Sequence, residues 1–568
     1  MYTCNIASRD YSKWSYEPEE SSLQSPIEYK LFHGDTFAKN EDNTITISES
    51  PIRTNQNIPG ILLLENNRTY GRTENNKRLY YKCRPYDSKL PNFLVAYDLP
   101  MGFNKNFKNK YITFFFKSWK EKHPLGIISQ NIGDVYDLPS FNEYQLYCKN
   151  LHHSITAAIA LAKETLNLRT MDSIQSEILQ NSDRYGEFTH LHDEDIFTFS
   201  VDPKGCTDRD DALSIISTDS GVIMEHLVSV HIANVWVWLD AMELWDYIGG
   251  RVSTIYFPDM KRPMLPTILG EKICSLDEGK KCLAMTMEFN VIEHPTKGTY
   301  IQYLDATRPY VYQTSIKVHK NYVYEEPALL KNDYYKRLFS ITKKMDKKVN
   351  DSHDLVAYWM MQMNYYLARH MKFERFGIFR TVQAKQEPRF DDDGSLPPFV
   401  RMWEQQMSGE YIVHEDKQLK LEHEILGYSQ YVHATSPIRR MVDLLNQIAW
   451  MRYHKKVPEM TEKCIQFYDK QISQIDRINR KMKKIRRVQA DGHILYRVTH
   501  EPEILEHVYE GLVISNEEIA TIYIERLEWL TQAVLTKPVK QYGYVKCKLF
   551  VFDNEEKMRK KIRIQLID

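Results

Sequence analysis

The sequence predicts a multidomain protein of the α+β class, and three observations lead to this prediction. At roughly 100 to 200 residues per domain, the 568 residues correspond to about three or four domains. Short apolar runs that alternate with polar and turn residues fill both ends of the chain, a pattern typical of β-barrels, whereas the middle also carries long stretches with helical spacing. Hydrophobic residues make up 42% of the chain, which is enough to build several cores.

The order of these patterns predicts six segments. We expect a polar tail at 1–25, a small incomplete barrel at 26–64, a second barrel at 65–150, a helical linker at 151–190, a mixed α/β domain at 191–500 and a third barrel at 505–568. Within the central domain, residues 283–291 alternate like a half-buried strand, residues 355–371 predict an apolar helix, and residues 472–495 predict a long helix rich in Lys and Arg.

The charge and the cysteines argue against several classes of protein. The formal net charge is -1, so the chain is not a uniformly basic nucleic-acid binder, and any phosphate contact must come from a local group of Lys and Arg. The eight cysteines form no CxxC pair, which argues against a zinc site and a disulfide scaffold and indicates a reducing compartment. No stretch approaches eighteen apolar residues and the start lacks a signal-peptide pattern, so we expect a soluble intracellular protein.

An acidic cluster follows a strand-like run in the central domain. Residues 197–201 alternate apolar and polar side chains, and Pro203 and Gly205 then break the strand. Four carboxylates stand here within ten residues: Asp202, Asp208, Asp210 and Asp211. Because so many acids repel one another, a bound hard cation is the usual remedy, and magnesium or manganese suits an oxygen-rich site that can clamp a phosphodiester for hydrolysis. A solvated acidic turn is the commonest alternative, whereas a calcium loop lacks the glycine it needs after Asp210 and Asp211.

A second cluster, of arginines, lies near the end of the central domain. Ser436 and Pro437 predict a helix start, with the serine as cap and the proline at the first helical position. Arg439 and Arg440 then fall in the first turn, where the helix N-terminus already favours anions, and the arginine forks bind phosphate oxygens in pairs. The alternative is an arginine pair tied to surface carboxylates.

Several segments occur in the order found in one known family. The segments DPKGCTDRDDA at 202–212, HIANV at 231–235, YFP at 256–258, PMLP at 263–266, CSL at 274–276 and YVHATSPIRRMVDL at 431–444 resemble signatures of the ribonuclease II (RNB) family of exoribonucleases. This resemblance implies two N-terminal barrels of the cold-shock or OB type, a mixed α/β catalytic domain and a C-terminal S1-like OB barrel. The chain departs from the family pattern at Asn234, Met441 and Gln447, among other positions, but none of these departures removes a proposed metal ligand.

The resemblance also implies a function. It implies a hydrolytic 3′-to-5′ exoribonuclease that degrades single-stranded RNA to nucleoside 5′-monophosphates, with one or two Mg²⁺ ions (Mn²⁺ as the alternative) held by Asp202, Asp208, Asp210 and Asp211. Arg439 and Arg440 are expected to neutralise the scissile phosphate and Tyr256 to stack on the terminal base. Further RNA contacts are expected from His433, Thr435, Ser436, Arg72 and Arg84. Arg72 and Arg84 either contact the RNA backbone or only cover the surface of the barrel. The basic helix at 472–495 either lines an RNA channel or presents a solvated face.

Two alternatives and several expectations about partners remain. The first alternative is a catalytically weak or inactive RNA-binding protein on the same fold, and a role as a subunit of an RNA-decay assembly is compatible with either activity. We expect a monomer without membrane contact, located in the cytoplasm with the nucleus left open. The arrangement resembles that of eukaryotic family members without an N-terminal endonuclease domain.

Overall fold

The fold is that of a computed structural model, which describes residues 1–65, 67–74, 77–99, 107–191, 196–302, 311–384, 399–400, 403, 408–414, 420–454, 457, 459–516, 519–535, 537–554 and 558–567. The chain divides into two compact units. Unit 1 comprises residues 1–152, 257–260 and 484–568, and unit 2 comprises residues 153–256 and 261–483. Among the described residues, no helix is both long enough and apolar enough to cross a membrane.

The first sheet of unit 1 contains the residues that were expected to form a polar tail. Its strands are β1 (Tyr2–Ile6), β2 (Trp14–Glu17), β3 (Thr36–Lys39) and β4 (Ile45–Glu49), in the order β2-β1-β3-β4, and a short helix α1 (Pro51–Thr54) follows. The prediction of a tail at 1–25 was therefore wrong. Cys4, Ile6 and Tyr16 point into the core while their polar neighbours face outward, so the low overall hydrophobicity of this stretch hid a half-buried strand pattern.

The second sheet of unit 1 is closed into a barrel. Its strands are β5 (Ile58–Leu62), β6 (Thr69–Arg72), β7 (Leu79–Pro85), β8 (Phe93–Tyr97), β9 (Lys110–Ser118) and β10 (Leu125–Asp134), in the order β5-β9-β10-β8-β7-β6. Closure follows from β5, which pairs with both β9 and β7. Because β5 belongs to this sheet, the predicted boundary between 64 and 65 lies too late in the chain. Helix α2 (Leu138–Cys148) follows β10.

Unit 2 begins with helices and continues into a closed seven-stranded sheet. The helices are α3 (Thr156–Leu168), α4 (Met171–Gln180) and α5 (Ser182–Tyr185). The strands are β11 (Phe188–Leu191), β12 (Thr198–Asp202), β13 (Asp211–Asp219), β14 (Met224–Ala233), β17 (Lys281–His294), β18 (Gly298–Gln302) and β19 (Val311–Val323), and a separate pair is formed by β15 (Ile255–Tyr256) and β16 (Lys261–Arg262). The order in the sheet is β11-β19-β12-β13-β14-β17-β18, with an additional pairing of β17 to β19.

The closure of this sheet explains a difference from the predicted strand pattern. Residues 283–291 were expected to be half-buried, but every residue from Cys282 to Met287 is buried. Strand β17 pairs with β14 on one side and β19 on the other, and the ring of Phe289 packs 5.4 Å from that of Trp359 on the apolar helix α9 (Ser352–Glu374). A strand in the middle of a closed and covered sheet has no solvent face along that part of its length.

The remaining elements of unit 2 are mostly helical. They are α6 (Val235–Ala241), α7 (Pro327–Lys331), α8 (Asp333–Met345), the strand pair β20 (Ile378–Gln383) and β21 (Ser408–Val413), α10 (Met441–Tyr453) and α11 (Glu462–Ile472). The predicted long basic helix is α12 (Ile475–His500), which begins in unit 2 and ends in unit 1.

The C-terminal part of unit 1 is a five-stranded sheet. After a short helix α13 (Glu503–Glu506), the strands are β22 (Tyr509–Ser515), β23 (Ala520–Ile524), β24 (Trp529–Ala533), β25 (Tyr544–Asn554) and β26 (Arg559–Ile567). Their order is β24-β23-β22-β25-β26. Together with the two N-terminal sheets and the mixed central unit, this sheet confirms the predicted multidomain α+β class.

Candidate active site

The acidic cluster lies on the connection between two antiparallel strands of unit 2. Asp202 ends β12 and Asp211 begins β13, and the two strands pair through Thr198 with Ser214 and Phe199 with Leu213. Gly205 has a φ of +82°, a left-handed conformation that lets the turn after Pro203 reverse the chain. The connection therefore brings the acids at both of its ends together.

Asp210 is the most completely bound of the four aspartates. It is 3% exposed; its Oδ1 accepts a hydrogen bond from the backbone N–H of Ile438 at 2.8 Å, and its Oδ2 accepts one from Nε of Arg439 at 2.9 Å. Burial raises the pKa of Asp210 to about 7, although the Arg439 charge and the Ile438 bond oppose that rise. Asp210 therefore joins the acidic connection directly to the arginine segment predicted to bind phosphate.

The carboxylates of Asp202 and Asp211 have fewer hydrogen-bond and cationic partners than the carboxylate of Asp210. Oδ2 of Asp202 accepts a hydrogen bond from the Ser200 hydroxyl at 2.7 Å, and Nε of Arg209 stands 3.7 Å from the same oxygen. No described residue donates a hydrogen bond to the Asp211 carboxylate. Burial, together with the charges of Asp202 and Asp210, raises the pKa of Asp211 well above its ordinary value, and burial also raises the pKa of Asp202.

These two carboxylates fit a divalent cation. A buried carboxylate that lacks a donor and repels a second carboxylate is stabilised by a bound cation, and Mg²⁺ commonly uses one or two carboxylates together with waters and phosphate oxygens. Within the described ranges, no group of three or more His, Cys, Asp or Glu side chains has an arrangement that could hold a metal ion. The fit therefore rests on Asp202 and Asp211, and the wider ligand set of four aspartates stays a prediction.

Asp208 has a cationic partner that the sequence did not suggest. Nζ of Lys261 lies 3.1 Å from Oδ1 of Asp208 and 2.6 Å from Oε1 of Glu271. Lys261 stands on β16 opposite Tyr256 on β15, so the strand pair brings both residues beside the acidic connection. Burial, and then the charge of Asp208, raises the pKa of Tyr256.

The arginine segment differs from its predicted helical form. Helix α10 begins at Met441, and Arg440 before it is extended, with φ -131° and ψ 124°. The backbone carbonyl of Arg439 accepts a hydrogen bond from the N–H of Thr254, and the N–H of Met441 donates to the carbonyl of Val252. The chain makes a single turn after Ser436, whose carbonyl accepts a hydrogen bond from the N–H of Arg440 at 2.9 Å. Because the backbone groups of Arg439 and Met441 pair with 252–254, this turn does not continue into the helix, and the predicted helix start at Ser436 and Pro437 was wrong.

Arg439 and Arg440 are nevertheless held close together. Both donate to the Ser436 hydroxyl, Arg439 at 2.9 Å and Arg440 at 3.3 Å, and Arg440 also donates to Oδ1 of the fully buried Asp443 at 2.8 Å. Burial disfavours a charged Arg439, but the combined attraction of Asp210 and the other acidic groups around it outweighs burial, so the pKa of Arg439 is raised. The Arg439 side chain keeps 41% exposure, so its guanidinium can still reach a ligand from solvent.

The other predicted RNA contacts have different surroundings. A hydrogen bond of 2.8 Å joins Nδ1 of His433 to the Tyr411 hydroxyl, and Thr435 is buried, with its hydroxyl 3.4 Å from Nδ2 of Asn364. Both residues therefore help to hold the segment before Ser436, and their contact with RNA stays a prediction. Arg72, exposed at the end of β6, and Arg84, half-buried in β7, belong to unit 1.

Tyr324 is a site residue that the sequence did not reveal. Its backbone N–H donates to the carbonyl of Asp202 at 3.2 Å, and its ring stacks on His353 with centroids 3.5 Å apart. Burial and the charges of Asp211 and Asp202 raise its pKa. It follows β19, which is the parallel partner of β12, and only that long-range pairing places it beside the acids.

Two residues that depart from the family pattern, Gln447 and Asn234, make buried hydrogen bonds close to the backbone of Asp210. Nε2 of Gln447 donates to the carbonyl of Ala233 at 2.8 Å, and the N–H of Ala233 donates to the carbonyl of Asp210 at 2.8 Å. The neighbouring Asn234 is fully buried and donates to Gln313 at 2.8 Å. The Gln447 side chain therefore bonds to Ala233, the residue whose backbone N–H bonds to the Asp210 carbonyl, whereas the Asn234 side chain bonds to β19.

Comparison with known proteins finds similarity over part of the chain. A family model described as the RNB domain matches residues 191–334. A probable exosome complex exonuclease RRP44 of Caenorhabditis elegans is 27% identical over 273 residues, which is 48% of this chain and 25% of that protein. A ribonuclease R of Aquifex aeolicus is 23% identical over 282 residues, 48% of this chain and 37% of that protein. The matches thus span well under two thirds of the length of these relatives.

Solved structures show the same fold at low sequence identity. Mycoplasma genitalium RNase R, in complex with ribose-methylated single-stranded RNA, superposes with a TM-score of 0.66 at 15% identity, covering 100% of both chains. Yeast Ssd1, described as a pseudonuclease, superposes with a TM-score of 0.56 at 13% identity, covering 93% of this chain and 72% of that chain. Residues 191–334 therefore match the RNB domain, and about half of the chain is similar in sequence to proteins named as exoribonucleases.

Proposed function

We propose that the chain is a hydrolytic 3′-to-5′ exoribonuclease that degrades single-stranded RNA to nucleoside 5′-monophosphates. The observation that carries the proposal is the half-buried pair Asp202 and Asp211, of which Asp211 has no hydrogen-bond donor among the described residues, next to the Asp210–Arg439 ion pair. Such a site combines a place for a divalent cation with a cation that can bind phosphate. RNA is the proposed substrate because the relatives are exoribonucleases and because the RNase R of the same fold was solved with single-stranded RNA.

Each residue of the site has a proposed task. A divalent cation bound at Asp202 and Asp211 would lower the pKa of the attacking water and stabilise the departing oxygen. Arg439, fixed by Asp210 and Ser436, would bind a phosphate oxygen without having to be ordered first, because two of its nitrogens already have partners. Arg440 has the same task in our proposal, with Asp443 holding its guanidinium in place.

The terminal nucleotide would lie beside Tyr256. Stacking on an aromatic ring tolerates every base, which suits an enzyme that degrades RNA without regard to sequence. Lys261, which the strand pair places opposite Tyr256, carries a positive charge beside Asp208 and keeps that carboxylate bound.

A non-catalytic RNA-binding protein is the second candidate. The structure of yeast Ssd1 shows that this fold also occurs in a pseudonuclease. One feature of the site favours this candidate: Lys261 and Arg439 already neutralise Asp208 and Asp210, so these two acids need no bound cation. Activity with and without a divalent cation separates the two candidates.

The decisive experiment follows a 5′-labelled single-stranded RNA with Mg²⁺ and with chelator. We expect a ladder that shortens from the 3′ end with Mg²⁺ and an intact substrate with chelator. Asp210→Asn should abolish hydrolysis, a loss of at least about a hundredfold, because the ion pair that orients Arg439 is removed, while RNA binding is retained. Asp219→Asn is the matched control, since Asp219 is exposed at the far end of the same strand β13.

Two results would contradict the proposal. If Asp210→Asn and the parent hydrolysed RNA at the same rate, this site would not be the one that catalyses hydrolysis. Binding of RNA without Mg²⁺-dependent shortening would favour the non-catalytic candidate. Association with an RNA-decay assembly, a monomeric state and a cytoplasmic location remain proposals that rest on the relatives and on composition.

A further inference from the structure

The C-terminal sheet has an unusual distribution of charge over its strands. OB-type barrels commonly bind single strands on the face of their second and third strands. Here those strands are β23, with the sequence ATIYI, and β24, with the sequence WLTQA, and neither carries a Lys or Arg. The fourth and fifth strands, β25 and β26, carry the cations instead.

The register of β25 and β26 gathers these cations on one face. Successive residues of a strand point to opposite sides, and along β25 Cys547 and Leu549 are buried while their even-numbered neighbours are exposed. Phe550 is paired with Arg563, and Phe552 with Lys561 on β26. We call this outward side the basic hairpin face, and its main residues are Tyr544, Lys546, Lys548, Phe550, Phe552 and Arg563.

Aromatic rings and cations alternate on this face. Tyr544 is 61% exposed and Phe550 is 40% exposed, so both rings are open to solvent. The rings of Phe550 and Phe552 are 6.0 Å apart, and the Arg563 guanidinium lies 5.1 Å from the centre of the Phe552 ring. Among the described residues, Lys546, Lys548 and Arg563 form no ion pair within 4 Å. Glu510 on β22 lies opposite Lys546, so it borders the face at one edge.

This combination fits one class of partner. Lysines without ion-pair partners attract a polyanion, and exposed rings between them offer a stacking surface for unpaired bases. A duplex hides its base faces in its own stack and could use only the charges. We propose that the basic hairpin face binds single-stranded RNA without sequence preference, in place of the β23–β24 face. The inference rests on the proposed RNA substrate but does not depend on hydrolysis.

The test measures RNA affinity of the full chain in chelator, so that hydrolysis does not interfere. A labelled single-stranded oligonucleotide is titrated at several salt concentrations against the parent, Lys546→Glu/Lys548→Glu and Phe550→Ala. The control is Lys347→Glu/Lys348→Glu, an exposed lysine pair in unit 2 with the same change in charge. All substituted side chains are exposed, so thermal unfolding of each variant should match that of the parent.

The two variants should weaken binding in different ways. The lysine reversal should lower the affinity at least about tenfold and reduce the slope of log affinity against log salt by about 1.4, since each lost phosphate contact contributes about 0.7 for a single strand. Phe550→Ala should lower the affinity about tenfold at every salt concentration and leave the slope unchanged, because stacking releases no counterions. The control should bind like the parent.

Three outcomes would overturn the inference. Parental affinity in both variants would exclude the face, and equal weakening by the control would show that only net charge matters. In a parallel titration with vesicles of anionic lipid, a lysine variant that keeps parental RNA affinity but loses vesicle binding would assign the face to a membrane surface instead. If the parent shows hairpin-dependent binding but no hydrolysis with Mg²⁺, the proposed nuclease function fails while this inference stands.

Discussion

At the residue scale, the four aspartates of the site differ in their partners although they share one chemistry. Asp210 is bound by a backbone N–H and by Arg439, and Asp208 is bound by Lys261. The Asp211 carboxylate receives no hydrogen bond from the described residues, and its desolvation, together with the charges of Asp202 and Asp210, raises its pKa. Since the cost of a buried charge depends on its compensation, the carboxylate with the fewest partners is the one that a cation stabilises most.

The substitution Asp211→Asn should therefore raise stability and remove cation binding. In chelator at pH 7.5, its unfolding midpoint should exceed that of the parent because no charge has to be buried. The folded pKa of Asp211 is raised above the unfolded value of about 3.9, so the parent loses stability as the pH rises above that value, and the advantage of the variant should shrink toward pH 4.

Added Mg²⁺ provides the second half of this test. The parent should gain about 2.7 kcal/mol at a Mg²⁺ concentration one hundred times the dissociation constant, and Asp211→Asn should gain much less. Thermal unfolding in chelator and in Mg²⁺ measures both effects. An equal gain in the two proteins would place the cation elsewhere.

At the scale of elements, the arginine segment is held by tertiary contacts and not by a helix. Its backbone pairs with 252–254, and the buried Asp443 accepts from the Ser436 N–H at 2.8 Å and from Arg440 at 2.8 Å. Ser436 and Pro437 are good helix-starting residues, so local preference favoured a helix that the backbone pairing with residues 252–254 interrupts. The shape of the phosphate-binding segment thus depends on a residue in the first turn of α10.

The substitution Asp443→Ala should destabilise the protein strongly. It leaves the charge of Arg440 and the Ser436 N–H without their acceptor, and breaking a buried ion pair in this way costs about 3–5 kcal/mol. Denaturant unfolding measures the loss. Asp443→Asn, which keeps an oxygen acceptor for the Ser436 N–H, should lose less, and a parental midpoint for Asp443→Ala would show that the segment does not need this contact.

At the scale of the whole molecule, the closed sheets bury polar side chains that the alternating sequence pattern would assign to a solvent-exposed face. His231 on β14 is fully buried between two hydroxyls, with Nε2 3.0 Å from Ser214 and Nδ1 2.8 Å from Thr286. Burial lowers its pKa to about 3. The folded protein therefore keeps this imidazole neutral at a pH where the unfolded chain binds a proton.

Acid should consequently destabilise the fold through His231. Its folded pKa of about 3 lies below the unfolded value of about 6.5, so the unfolded state binds more protons between these values and stability falls as the pH is lowered through that window. Relative to His231→Gln, the parent should lose about 1.4 kcal/mol more per pH unit between pH 6 and 4. Unfolding at stepwise pH measures the difference, and the exposed His190→Gln should keep the parental slope.

Sequence reasoning reached the class of the fold and the RNB-like part of the central domain, and it singled out the aspartates and arginines that the structure brings together, whose roles stay predictions. These are local signals: a strand that ends in acids, a proline and glycine that break it, and motifs in a known order. It also found the apolar helix α9 and the alternating strands of the C-terminal sheet, since periodicity is carried by neighbouring residues.

Other features exist only because distant segments meet. The pairing of Asp210 with Arg439, the lysine beside Asp208 and the tyrosine after β19 each join residues more than fifty positions apart. The extended form of Arg440 likewise depends on a bridge to the distant Ser253, which no local pattern contains. The amino-acid sequence determines which ionisable groups are present. How deeply they are buried, and which opposite charges lie next to them, is decided only by the tertiary contacts between distant segments.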